Sequence, residues 1–181
     1  SPPLSKSPTS YEITWKQLSN GMTVLVQPMP WLRTAAFSIA IRAGVDVEPR
    51  DLGGLSGLTC EMVQRGAGKH SSRDLVAIQD NLGMDRSSGV SVSTSNFGAS
   101  MPAESLKEAI ELYAQIVQNP HLPEDQLEDA RMMSLQEIRA NRDEPTHRVM
   151  QTLRQMHYGP VLGRPSNGTE EGISKITQSD V

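Results

Sequence analysis

Few side chains in this sequence have the chemistry to act on another molecule: one thiol, four imidazoles and scattered carboxylates. Cys60 is followed directly by Glu61, in a stretch where Leu55, Leu58 and Met62 recur at helical spacing. A thiolate and a carboxylate can each ligate a divalent metal. However, successive residues on a helix point about 100° apart, so Cys60 and Glu61 cannot easily face one ion. A nucleophilic Cys60 needs a lowered pKa and a base; the adjacent acid raises a thiol's pKa, and the nearest imidazole in sequence, His70, falls in a loop. The plain alternative is a small buried Cys60 beside an exposed or paired Glu61. His70, His121, His147 and His157 share no metal-ligand spacing and read as structural or surface residues. The acids Glu124, Asp125, Glu128 and Asp129 read as a solvated helix start, and Met132, Met133, Met150 and Met156 as helix packing.

The elements that position these residues follow from periodicity. Residues 13–18 alternate, Asn20-Gly21 supplies a hairpin turn, and residues 22–26 return as a second strand. A third strand is expected from Ala35 to Ala43, with Phe37, Ile39 and Ile41 on one face. The short helix carrying Cys60 stops at Gly66-Ala67-Gly68, and another starts at Ser71 or Ser72, buries Leu75, Ile78 and Leu82, and ends at Gly83. Alternation predicts strands over 89–95 and 97–101. Ser105 and Glu108 have the spacing of a capping box, before an amphipathic helix through Leu106, Ile110, Tyr113 and Val117. Pro123-Glu124-Asp125 opens a helix to about Arg142, Pro145 opens another through Val149, Leu153 and Met156, and residues 158–168 read as loop. Strands and helices are grouped rather than alternating, which predicts an α+β fold: a mixed, largely antiparallel sheet with helices packed on it.

Composition narrows the function. The chain has 181 residues, 36% hydrophobic and 21% charged, which is globular. A net charge of −4 argues against a nucleic-acid partner, since neutralising phosphates needs a basic surface. No apolar run is long enough to span a membrane, and no signal peptide is visible in these residues; the compartment stays unknown. One cysteine excludes a disulfide framework. Residues 1–11, with three prolines and four serines, read as a linker or an appended tail. Thr177 and Asp180 have the spacing of a helix opening, so the domain over 12–181 is expected to be incomplete at its C-terminal end.

Three segments, taken in order and spacing, resemble one family. Residues 17–26 read Gln-Leu-Ser-Asn-Gly-Met-Thr-Val-Leu-Val; residues 41–50 read Ile-Arg-Ala-Gly-Val-Asp-Val-Glu-Pro-Arg, followed by Gly54-Leu55-Ser56 and Arg65-Gly66; residues 159–173 run from Gly159-Pro160 through Leu162-Gly163-Arg164-Pro165 to Gly168-Thr169. Together they look like the insulinase/pitrilysin family of zinc peptidases, whose members include mitochondrial processing peptidase subunits and the core proteins of the respiratory cytochrome complex. The resemblance implies a zinc site built from an inverted His-x-x-Glu-His motif on the short helix plus a distal glutamate. Anchored on Gly54-Leu55-Ser56, the first histidine falls on Gly57, the general base on Cys60 and the second histidine on Glu61; only the distal carboxylate is retained, as Glu137.

The resemblance therefore implies a degenerate member: a non-catalytic domain with no catalytic residue and no cofactor of its own. It would pair with a homologous domain or subunit and bind an extended peptide or unfolded protein segment by strand addition. Two alternatives stay open. The parent is a zinc metalloendopeptidase whose active motif lies in another domain, with zinc held there, or the chain is a structural assembly subunit.

Overall fold

The computed structural model describes residues 12–181, so the expected tail over 1–11 lies outside the described residues. The chain divides into two compact units at Thr34/Ala35.

In the first unit, β1 (Thr14–Gln17) and β2 (Thr23–Val26) form an antiparallel hairpin with Trp15 opposite Leu25. The turn is closed by the Leu18 N–H donating to Met22 O at 2.8 Å, and Gly21 takes the positive φ of 86° that its lack of a Cβ permits.

In the second unit, β3 (Thr34–Ile41, whose first residue is the last of the first unit), β4 (Asp85–Val90) and β5 (Ser95–Pro102) form a three-stranded sheet in the order β3-β5-β4, with β4 and β5 antiparallel. The helices are α1 (Leu55–Met62), α2 (Ser72–Asn81), α3 (Leu106–Gln118), α4 (Leu127–Asp143), α5 (Pro145–Leu162) and α6 (Glu170–Lys175). The architecture is α+β with antiparallel pairing, as the sequence predicts.

Two apolar clusters hold this unit. In one, Phe97, Ala99 and Met101 of β5 pack against Leu75 of α2 and Ala109, Tyr113 and Ile116 of α3, with Phe37 of β3 edge-on to Tyr113 at 5.0 Å. In the other, Leu58 and Met62 of α1 meet Leu127 and Ala130 of α4 and Ile173 and Ile176 near α6. The short helix α1 thus contributes to both, since Cys60 belongs to the first.

Four expectations need correction. The strand expected at 89–95 lies at 85–90; Ser91 and Thr94 form a turn, with the Ser91 N–H donating to Thr94 O at 2.8 Å and Ser91 Oγ accepting the Thr94 N–H at 3.2 Å. Ser105 makes no capping box with Glu108, because a 3₁₀ turn over Ala103–Ser105 leaves Ser105 at helical φ/ψ rather than in the extended conformation a cap requires. The real capping box lies at α2, where Ser71 and Asp74 bond reciprocally. Residues 158–168 are not all loop: helical turns continue to Leu162 across a kink at Gly159, whose φ is 75°. Finally, the methionines are not helix packing. Met132, Met133 and Met150 are exposed and Met156 is 81% exposed, so these side chains lie on the outer faces of α4 and α5 rather than in either apolar cluster.

Candidate functional site

Helix α1 begins without a capping side chain of its own. Its N-cap, Gly54, sits at φ 106°, and an added Cβ would strike Ile173 Cδ1 at 2.5 Å. The missing cap arrives from upstream: the buried Glu48 carboxylate accepts the Gly54 N–H at 3.1 Å and the Ser56 N–H at 2.8 Å. A carboxylate there satisfies orphan donors and meets the positive end of the helix dipole. Arg164 Nη1 donates to Glu48 O at 3.0 Å, and the Thr169 N–H donates to Gly53 O at 3.2 Å. An added Cβ on Gly168, at φ 79°, would run into Gly54 Cα, and one on Gly172 into Gly53 O. The two glycine-bearing segments that carry the family resemblance therefore lie backbone against backbone, and together they place α1.

The four motif positions are distributed as follows. An added Cβ on Gly57 meets only Ser166 O within 4 Å, at 3.9 Å, so this position opens toward the 164–168 segment. Glu137, on α4, accepts from Asn167 Nδ2 at 2.8 Å. Positions 57 and 137 thus flank the same Ser166-Asn167 pair, and Glu61 lies one turn from Gly57 on the same helix face. Cys60 turns the other way, into the core, and is 5% exposed. Burial first, and the Glu61 charge second, push its thiol up to about 11 against a partial offset from the Gly89 N–H. Glu61 is held by Arg65, whose Nε and Nη2 reach Glu61 Oε1 at 3.3 and 3.1 Å.

This donor set does not fit a zinc ion. A catalytic site needs three convergent protein ligands and an open position. Here one position has no side chain, the thiol faces the core and stays protonated at neutral pH, and the carboxylate on α1 is engaged by a guanidinium. Among the described residues, no group of three or more His, Cys, Asp and Glu is gathered in a metal-holding arrangement. The histidines are dispersed: His121 Nε2 lies 2.6 Å from Gly68 O, His157 stacks edge-on to Tyr158, and His147 is exposed near the start of α5.

Next to α1, β4 is one of the two outer strands of the three-stranded sheet, β3 being the other. A recess of about 390 Å³ lies beside it, lined by Glu61, Gln64, Arg65, Arg86, Ser88 and Gln126 among others. Gln64 Nε2 donates to Ser88 Oγ at 3.1 Å, and Arg86 Nη1 to Gln79 Oε1 at 2.6 Å. The sequence reading missed Glu48, Asn167 and Arg86. Glu48 caps from six to eight residues upstream, beyond any local capping pattern, and Arg86 sits in a strand with no apolar alternation. No helix among the described residues is long and apolar enough to cross a membrane.

Comparison with known proteins bears on this geometry. Residues 23–169 match the family model for insulinase (peptidase family M16). The chain is similar to an uncharacterized zinc protease of Rickettsia felis, 23% identical over 163 residues, covering 90% of this chain and 40% of the relative. It is also similar to the mitochondrial-processing peptidase subunit beta of Lentinula edodes, 26% identical over 165 residues, covering 91% and 35%. Among solved structures, the peptidase M16 inactive domain from Pseudomonas fluorescens aligns with a TM-score of 0.82 at 19% identity, covering 93% of this chain and 42% of that one. A protease from Helicobacter pylori aligns with a TM-score of 0.83 at 16% identity, covering 94% and 42%. The chain thus spans well under half the length of these proteins.

Proposed function

The chain belongs to the insulinase family, peptidase family M16, and from that membership we propose that it is a non-catalytic domain that pairs with a homologous domain or subunit and binds extended peptide. What supports this reading is the donor set at the positions the resemblance assigns to the two histidines and the general base: Gly57, Cys60 and Glu61 are there, and only Glu137 is retained. An M16 domain without a metal site retains the other part of the machinery, a sheet edge. The outer edge of β4 offers every second residue's N–H and C=O to an added strand, while side-chain recesses on the flanking face supply preference. The description of the Pseudomonas neighbour as an inactive domain fits the same role.

The test is direct. The chain is titrated with a labelled, extended Thr/Val-rich peptide and incubated with the same peptide and added zinc. Saturable binding without cleavage is expected; zinc-dependent cleavage that is lost in Glu137→Gln contradicts the reading.

A second reading concerns the parent protein. The relatives include a zinc protease, and the chain spans 40% of it and 35% of the processing-peptidase subunit, which leaves room for a second M16 domain with an intact motif. The parent is then a zinc metallopeptidase, and this domain contributes to its substrate chamber without holding its metal.

A further inference from the structure

The recess beside β4 carries a charge that its own lining does not balance. Arg86 and Ser88 lie opposite Ala99 and Phe97, both buried in the core, so their side chains project to the helix-covered face of the sheet. Arg86 donates to Gln79, a neutral amide that is 3% exposed, and no carboxylate among the described residues lies within 4.0 Å of its guanidinium. The acid in the lining, Glu61, is taken up by two contacts from Arg65. The remaining polar groups are neutral: Gln64 bonds to Ser88, and Ser72 Oγ to Gln126 Oε1 at 3.2 Å. Among the described residues, the recess therefore holds one cation, Arg86, without a paired carboxylate.

A peptide strand laid along β4 sends alternate side chains to the same face as its cross-strand neighbours, so one of them enters this recess beside Arg86 and Ser88. We infer that the recess selects peptides with an acidic side chain at that position, an inference that rests on the peptide-binding reading above. A carboxylate there meets a guanidinium whose planar fork matches it and a serine hydroxyl able to donate. A lysine at the same position meets like charge.

The experiment uses the whole chain and three labelled Thr/Val-rich peptides that differ only at one central position, Glu, Gln or Lys. The Glu peptide is expected to bind about tenfold tighter than the Gln peptide, with the Lys peptide weakest, and the ratio shrinks as salt is raised. Arg86→Gln collapses the Glu-over-Gln ratio and Arg86→Lys retains part of it; if Arg86→Gln does not fold, the peptide series on the unaltered chain decides. Equal binding of all three peptides overturns the acidic preference and leaves the peptide-binding reading intact. Binding of none overturns both.

Discussion

The Glu48 carboxylate accepts the Ser56 N–H at 2.8 Å and thereby caps α1 from eight residues upstream. Because its other oxygen takes the Gly54 N–H and the group is buried, no water can readily substitute for it. Glu48→Ala should destabilise the chain by about 2 kcal/mol, with Glu48→Gln costing less because one acceptor remains. Urea denaturation of the two variants checks the order; an alanine variant as stable as the parent chain contradicts the capping role.

Gly168 lies against Gly54 with a positive φ, so a methyl group there meets both backbone strain and a backbone collision. Gly168→Ala should cost about 2 kcal/mol or more, since nothing flexible can move aside. Gly159 also has positive φ but open space around it, and Gly159→Ala should cost less. Thermal melts of the pair separate the packing effect from strain alone; equal losses contradict it.

The raised thiol of Cys60 makes a stability prediction with a definite sign. Its ordinary value is 9.0 and burial lifts it to about 11, so the folded state holds the proton more tightly than the unfolded state. The stabilising contribution is whole below pH 9 and is lost as pH rises from about 9 to about 11. Cys60→Ala should flatten that part of the stability-against-pH curve. An unchanged slope above pH 9 contradicts the assignment. By the same burial, iodoacetamide should label the folded chain slowly at pH 7.5 and the urea-unfolded chain rapidly.

Local signals carried much of the fold into the sequence. Asn20-Gly21 marks the hairpin, Ser71 marks the start of α2, and the apolar spacing of Leu106, Tyr113 and Val117 marks α3. Less visible were elements that depend on distant partners. Asp85-Arg86-Ser87-Ser88-Gly89-Val90 has no alternating apolar residues and becomes a strand through its ladder to β5. Helix α6 is only six residues long and is set by the Thr169 cap, whose Oγ1 accepts the Gly172 N–H, and by Arg131 donating to the Ile173 and Ile176 carbonyls. The resemblance proposes the motif positions, but the sequence does not carry the contacts around them: that Cys60 points into the core, that Arg65 holds Glu61, and that Asn167 holds Glu137.

The central claim is that positions 57, 61 and 137 are the family's ligand positions and that this chain lacks the donors to use them. Calorimetric zinc titration of the chain and of its Gly57→His/Glu61→His variant tests it. Position 57 has room for a side chain, with only Ser166 O near an added Cβ, and two imidazoles one turn apart would join Glu137 across the α1–α4 contact. The unaltered chain should show no stoichiometric site, and the variant should bind one zinc with an affinity lost on adding Glu137→Gln. One zinc per unaltered chain, or a variant that binds no tighter than its parent, contradicts the account.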